Sequence, residues 1–589
     1  MAQQVVFIGG VALGSKAACR FKRLEPESRA VIIDADRFVS YGGCGIPYYV
    51  SGDVSDISEL RTTSYHMIRD EKFFRDCKDI ELMTETRATR IDRQNKTVHF
   101  QKADGSTGSM AYDKLVIGTG SIPRPLPIEG LKLGNVHSVG NLHDAAAIKS
   151  LVIQGAASKA VVIGGGFIGL EMAEALADMW EVDTTVVELC DQIMPGFVSP
   201  GFARMAQRHM EEKGVHFRLG EKVTAVEGEA GVVRRVLTEQ GALEADLVII
   251  AAGVVPNTSL ASEAGLEIGA AGIVVNDRLQ TSDPDIYAGG DCAQILNLVS
   301  GRPAFYPLGS MANRQGRVIG TNLAGGDARF AGAVGSFVVK VFDHSLAGAG
   351  LTVQNARKAG FDAISVRVAQ LDRAHFYPTK QMMHLELVVE KPTRRVLGIQ
   401  GFGSSSDAMV GRINAVAAIL ERHPTVDDIS NLELAYSPPF SSAMDILNAL
   451  GNAADNMLAG SYRGIAPEEF EALWTGANNG QCFFLDCRAR EDGQPIAAKH
   501  PGRWVNIPQD ELRGRVDEVP DDREIILVCN TGVRLTMDLL DRGPRTGSSM
   551  PYMVIQEPLQ TLQPRSSIRQ PGQAGCLGAK APTRLGTTS

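Results

Sequence analysis

Short, unbroken apolar runs recur along the chain, each followed by glycine and then by apolar residues at helical spacing. The first is VVFIGG, which leads into VALGSKAACRFKRL, and a second run, AVIID, ends at Asp34. The pattern restarts at Lys159 with KAVVIGGG, continues as FIGLEMAEAL, and closes with TTVVE at Glu188. YDKLVIGTG, ADLVIIAAG and DIYAGGDCA add further apolar runs with glycine-rich ends. Apolar runs this short, bounded by glycine, read as buried strands rather than helices. Strand, glycine turn, helix and strand together form the unit of a doubly wound α/β sheet.

The glycines set the chemistry. In the first unit Gly9, Gly10 and Gly14 lie on the turn, with Val11 where the dinucleotide fingerprint has its middle glycine. Asp34, twenty residues beyond Gly14, stands where such a fold places an acid against a ribose 2′-hydroxyl. The second unit is complete: Gly164, Gly166 and Gly169 fill all three positions. They allow the tight turn, the approach of backbone to pyrophosphate, and close helix–strand packing, while the helix N-terminus offers unpaired N–H groups to phosphate. Glu188 would accept from an adenosine ribose and repel a 2′-phosphate, which favours NADH over NADPH. Two such sites imply two nucleotides.

Composition narrows the classes. At 589 residues the expectation is three to five domains. Hydrophobic residues are 44% and charged residues 22%, as in soluble globular proteins. With 59 basic and 68 acidic residues the net charge is −9, which argues against a generic nucleic-acid binder. No apolar run reaches transmembrane length, and MAQQ leads straight into a strand without a leader pattern, so a cytoplasmic protein is expected. The nine cysteines are few, odd in number and far apart, with no metal-ligand spacing. Reduced thiols and no metal centre are the expectation.

With these runs in this order, residues from about 4 to about 450 resemble the pyridine nucleotide–disulfide oxidoreductase superfamily. The resemblance implies FAD at the first site and NADH at the second. It places Thr119 and Gly120 where the chain passes close to FAD, Asp291 on the ribityl chain, and Ala312 and Asn313 on a helix whose N-terminus faces the flavin. Phe167 would cover the nicotinamide pocket and Glu171 would bond its amide. In VSYGGCGIPYYVSGD, Cys44 stands alone, because Val39 and Tyr49 occupy the positions five away. That resembles the single-cysteine branch: coenzyme A-disulfide reductases, NADH oxidases and peroxidases, and NADH-dependent persulfide reductases. A lone thiol must pair with a substrate sulfur or cycle through a sulfenic acid. The branch suggests coenzyme A, with Arg20, Arg23 and Ser40 at its contacts and Lys22 beside them. Tyr377 and Tyr436 would reach Cys44 from the partner of a homodimer. Phe376 replaces a tyrosine of the family pattern, and Gly43 an asparagine.

After Asn448, ALGNAADNMLAGSYRG is rich in small residues and reads as a linker. FFLDCR and EIILVCNTGVR then resemble a rhodanese domain, with Cys529 and Arg534 framing a C-x4-R loop that would carry a persulfide. Beyond Gly543 the chain is Pro/Gly/Ser-rich and basic, with Glu557 its only acid, a composition expected to stay disordered. Natural divergence and a shifted reading frame both fit this switch. The expected fold is α/β: two Rossmann-like dinucleotide-binding domains for FAD and NADH, an α+β dimerisation domain and a C-terminal α/β rhodanese domain. The expected boundaries are 1–120 and 246–322 for FAD, 121–245 for NADH, 323–448 for dimerisation, 449–464 for the linker, 465–550 for the rhodanese-like domain and 551–589 for the tail. The expected activity is NADH-dependent reduction of coenzyme A persulfide or polysulfide through Cys44. The alternatives are a coenzyme A-disulfide reductase, or an NADH oxidase or peroxidase.

Overall fold

The computed structural model describes residues 2–404, 407–465, 467–475, 482–520, 522–529 and 552–555. Their architecture rests on four five-stranded sheets. The first is parallel, in the order Ile286–Ala288, Lys114–Ile117, Gln4–Ile8, Arg29–Ile33, Glu81–Met83. The second is also parallel, in the order Val215–Leu219, Asp183–Glu188, Lys159–Ile163, Leu247–Ile250, Val136–Ser138. In each, the glycine turn leaves the carboxyl end of the middle strand, the crevice in which doubly wound sheets bind ligands. The middle strands are buried almost throughout, which explains their unbroken apolar sequences.

The third sheet is antiparallel, in the order Phe337–Val341, His344–Gly350, Val396–Ser404, Met382–Glu390, Ala363–Leu371. Helices Asp407–Leu420 and Ile446–Leu458 bury their apolar residues in its core. The fourth sheet, parallel, orders Tyr462–Gly464, Tyr552–Ile555, Glu524–Val528, Cys482–Asp486 and Trp504–Asn506.

Four expected boundaries differ. Leu247–Ile250 lies in the second sheet, beside Ala160–Ile163, so the nucleotide unit runs past residue 245. The stretch taken for a linker is largely the Ile446–Leu458 helix, with Ala449, Leu450, Ala453 and Ala454 buried. Small residues here allow close helix packing: a Cβ on Gly451 would lie 2.6 Å from the amide of Ser430. Tyr462–Gly464, also within the expected linker, is an edge strand of the fourth sheet. The tail, in turn, contains Tyr552–Ile555, which pairs with Ile526–Val528 and supplies the late strand that the composition hid. Among the described residues no helix is long and apolar enough to cross a membrane.

One helix crossing holds the first nucleotide turn in place. Leu13–Leu24 packs on Gly309–Leu323 through Gly316 and Gly320. A Cβ on Gly320 would lie 2.5 Å from the Ala17 carbonyl and 2.7 Å from Arg20 Cβ, so both helices would have to shift. Gly320→Leu should therefore cost about 1–3 kcal/mol by overpacking. Gly411, exposed in a helix with nothing near its missing Cβ, is the converse case; Gly411→Ala should gain about 0.5–1 kcal/mol. Thermal midpoints of the two purified variants check this: Gly320→Leu should fall below the parent chain and Gly411→Ala at or above it. An unchanged midpoint for Gly320→Leu would contradict the tight crossing.

Candidate active site

Each glycine turn is locked by a carboxylate. Gly9 takes a positive φ of 98°, and a side chain there would collide with the Gly118 carbonyl. Asp34 Oδ2 accepts from Gly10 N at 2.6 Å and its Oδ1 from Asp36 N at 2.8 Å. The second site repeats this: Glu188 Oε2 accepts from Gly165 N at 2.7 Å and Oε1 from Cys190 N at 2.9 Å. Both acids are thus fixed by backbone N–H groups at the ends of their strands, with acceptor capacity left for a ribose. Burial pushes the Asp34 carboxyl above its ordinary range, against the pull of these N–H groups. Around Gly166 a Cβ would meet nothing within 4 Å, the open cradle that a pyrophosphate requires. Gly14 and Gly169 instead close the helix onto the strand, since a side chain on either would strike the carbonyl of Gly9 or Gly164.

The flavin side is assembled from distant segments. Thr119 Oγ1 donates to the Asn257 carbonyl at 2.7 Å, and Gly120, at φ 68°, leaves open space beside it. Asp291 Oδ2 accepts from Ser121 Oγ at 3.0 Å, and burial raises its carboxyl above the usual range. A half-buried acid of this kind is suited to the hydroxyls of a sugar or ribityl chain. Gly290 N donates to the buried Gln315 side chain at 2.6 Å, tying Asp291 to the Gly309–Leu323 helix. On that helix Ala312 is buried, and Asn313 Nδ2 donates to the Gly309 carbonyl at 2.8 Å. The open cradle at Gly120, the half-buried Asp291 and the free end of this helix fit a flavin nucleotide.

Cys44 sits in a single 3-10 turn, Gly43–Gly45, ahead of the Ile46–Ser51 helix. Its Sγ lies 3.9 Å from where a Cβ on Gly309 would be, at the head of the Gly309–Leu323 helix. The thiol is solvent-accessible and is not in a disulfide. Desolvation by the surrounding protein nonetheless raises its pKa, the Glu171 carboxylate raises it further, and the Gly309 amide opposes both. Glu171 is itself pushed up to about 7, by burial first and then by Glu174. Glu174, buried, is held by Lys340 and by the Phe342 amide at 2.8 Å. Tyr48, one turn beyond Cys44, is pushed up to about 12 by burial and then by Glu171. Tyr48, Asp53, Glu171, Glu174 and Lys340 line one pocket, enclosing about 30 Å³. Phe167 meets Phe197 and Phe337 edge-on, at centroid distances of 4.8 and 5.3 Å. Neither Gly309 nor Tyr48 was singled out from sequence. The available signals were a glycine opening a helix, and a hydroxyl four residues after the cysteine.

The residues assigned to coenzyme A divide. Arg20 is half-buried and its Nε donates to Thr321 Oγ1 at 3.0 Å, while Arg23, three residues on, is exposed. Lys22 is not part of such a cluster: it is buried, donates to the Pro26 and Ser28 carbonyls at 2.6 and 2.8 Å, and pairs with Asp79. Ser40 is buried at φ 50°, its amide donating to the Gly10 carbonyl at 3.0 Å. The Tyr377 and Tyr436 segments adjoin, since Ala374 N donates to the Pro438 carbonyl at 3.3 Å. Tyr377 is half-buried, whereas Phe376, Tyr436 and Phe440 are 65%, 52% and 72% exposed.

In the C-terminal unit Cys529 is buried at the end of its strand, and the loop 530–534 lies outside the described residues. Asp486, fully buried, accepts from Arg488 at 2.6 Å and from Trp504 Nε1 at 3.1 Å. Cys529 adds to the field that raises the Arg488 guanidinium pKa, although desolvation, the largest influence, lowers it.

Comparison with known proteins agrees with this geometry. Residues 3–311 match the family model described as pyridine nucleotide-disulphide oxidoreductase, and residues 336–447 match its dimerisation domain. An NADH oxidase of Methanocaldococcus jannaschii is 31% identical over 457 residues, 76% of this chain and 100% of that protein. An NAD(P)H coenzyme A polysulfide/persulfide reductase of Pyrococcus horikoshii is 34% identical over 451 residues, 76% of this chain and 98% of its own. The solved NAD-dependent persulfide reductase from A. fulgidus superposes with a TM-score of 0.87 at 38% identity, covering 94% of this chain and 98% of that one. Two nucleotide crevices, a solitary thiol between them and these matches establish that the chain belongs to the pyridine nucleotide-disulphide oxidoreductase family of NAD(P)H-dependent flavin enzymes.

Proposed function

We propose that the protein is an FAD-dependent, NADH-using reductase of coenzyme A persulfide or polysulfide. The reading is carried by one observation: a solitary, solvent-accessible Cys44 whose sulfur lies against the amide end of the Gly309–Leu323 helix, between two dinucleotide crevices. The names of the Pyrococcus and A. fulgidus proteins support it. Gly9, Gly10, Gly14, Asp34, Thr119, Gly120 and Asp291 would hold FAD, which supplies a two-electron relay between nicotinamide and thiol. Gly164, Gly166, Gly169 and Glu188 would hold NADH, with Phe167 against the nicotinamide and Glu171 on its amide. Arg20, Arg23 and Ser40 would receive coenzyme A.

Cys44 then does the sulfur chemistry. As a thiolate it attacks the inner sulfur of the coenzyme A persulfide, forming a Cys44–coenzyme A disulfide and expelling hydrosulfide. Two electrons originating in NADH cleave that disulfide, returning the Cys44 thiolate and, with one proton, coenzyme A thiol. The protein would act as a homodimer in the reducing cytoplasm, where the exposed faces around Tyr377 and Tyr436 meet a second subunit. Cys529 would carry sulfane sulfur in a rhodanese-like module. The parallel order of the fourth sheet, with Tyr552–Ile555 among its strands, supports that reading.

Cys44→Ser should retain flavin reduction by NADH within about a factor of two, because hydride transfer does not use the thiol, and should lose sulfide release from coenzyme A persulfide by at least about 1,000-fold. Stopped-flow flavin bleaching and sulfide assay separate the two steps. Sulfide release at the parent rate would end the proposal.

The second test uses charge. Since the Glu171 carboxylate raises the Cys44 pKa, Glu171→Gln should lower it and shift the pH profile of Cys44 alkylation toward lower pH. Alkylation rates of the holoenzyme from about pH 7 to about pH 11, the range that brackets a thiol held above its ordinary value, read by mass spectrometry, check this. An unchanged profile would mean that the carboxylate does not act on the thiol.

A further inference from the structure

A separate cluster of side chains lies where the Pro200–Glu212 helix meets the turn between strands Phe337–Val341 and His344–Gly350. His209 Nε2 and Asp343 Oδ1 are 2.6 Å apart, and His344 Nδ1 is 3.5 Å from the same oxygen. One donor atom from each of these residues lies within 4.8 Å of the other two. The imidazole centroids are 4.0 Å apart. Phe402 stacks on the His344 ring at 5.1 Å and 20°, which fixes its plane. His344 Nδ1 is buried yet makes no hydrogen bond.

An ion pair would need only one of these histidines. Here two imidazoles converge on one carboxylate, and a buried ring nitrogen is left unsatisfied where such atoms are nearly always partnered. A cation satisfies all three groups together. Two imidazole nitrogens and a carboxylate oxygen are the donor set of zinc and other first-row divalent ions, with a fourth position for water.

We propose that His209, Asp343 and His344 bind a divalent transition-metal ion, zinc by donor chemistry, that braces the second nucleotide-binding sheet against the dimerisation sheet. Binding displaces the proton shared between His209 and Asp343 to solvent, and the metal takes its place. Lys213 Nζ, 3.6 Å from Asp343 Oδ1, opposes the cation; its side chain is 43% exposed and can turn into water. The bracing has a direct consequence. The strand ending at Val341 carries Phe337, and the segment leading into Pro200 carries Phe197, and these rings flank Phe167. The ion therefore ties together the two arms that hold the Phe167 ring.

The test uses chelator-treated, dialysed holoenzyme titrated with Zn²⁺ by calorimetry, alongside His209→Ala, His344→Ala, the near-isosteric Asp343→Asn, and Cys44→Ser as a thiol control. The parent chain and Cys44→Ser should each bind one equivalent more than any of the other three variants. Zn²⁺ should raise their thermal midpoints by several degrees, reversibly with chelator, and Ni²⁺ should reproduce the difference. Equal stoichiometry and equal thermal response in the His209, His344 and Asp343 variants would overturn the site, as would loss of the equivalent in Cys44→Ser alone. Should an alanine variant misfold, Asp343→Asn with intact flavin absorbance decides on its own.

Discussion

The approach of Cys44 Sγ to the amide end of the Gly309–Leu323 helix depends on three separate contacts. The helix is held by its glycine crossing with Leu13–Leu24, so the first nucleotide turn and the thiol share one rigid support. Cys44 leads directly into Ile46–Ser51, and the Trp180 indole donates to the Val50 carbonyl at 2.7 Å, fastening that helix to the second nucleotide unit. Gly290 N, bonded to Gln315, sets Asp291 against the same helix. A side chain on Gly316 or Gly320 would separate these parts, which is why a pair of glycines without apparent chemistry matters to the chemistry.

The electrostatics around the thiol are raised rather than neutralised. Burial lifts the Asp291 and Glu171 carboxyls, and Cys44 is lifted by burial first and then by Glu171 and Asp291. In the chain alone, then, desolvation and negative charge favour the thiol form, with the Gly309 amide as the counterweight. Thiolate character has to come with ligands that change this balance. That suits a cysteine that reacts only when its partners are bound.

Sequence made the two nucleotide turns readable because their chemistry is local: Gly9, Gly164 and the acids Asp34 and Glu188 lie within one strand–turn–helix–strand unit each. Cys44 was readable for the same reason. What sequence hid was either long-range or compositional. The convergence of Gly309 on Cys44 spans the whole first module, and the His209–Asp343–His344 cluster joins residues whose separation resembles no metal-ligand spacing. Lys22 looked like a partner of Arg20 and Arg23, but local carbonyls at Pro26 and Ser28 claim it. Small residues at 449–454 imitated a linker because a helix that packs closely also needs them, and a Pro/Gly-rich tail masked the strand Tyr552–Ile555.

In the proposed cycle Cys44 forms its redox bond with the sulfur of coenzyme A and not with another cysteine of the chain. Peptide mass spectrometry of oxidised holoenzyme, acid-quenched after exposure to coenzyme A persulfide and digested without reductant, tests this most directly. Coenzyme A should be found disulfide-linked to the peptide containing Cys44 and should be released by NADH. Finding Cys44 unmodified while turnover proceeds, or joined to a second peptide of the chain, would contradict it.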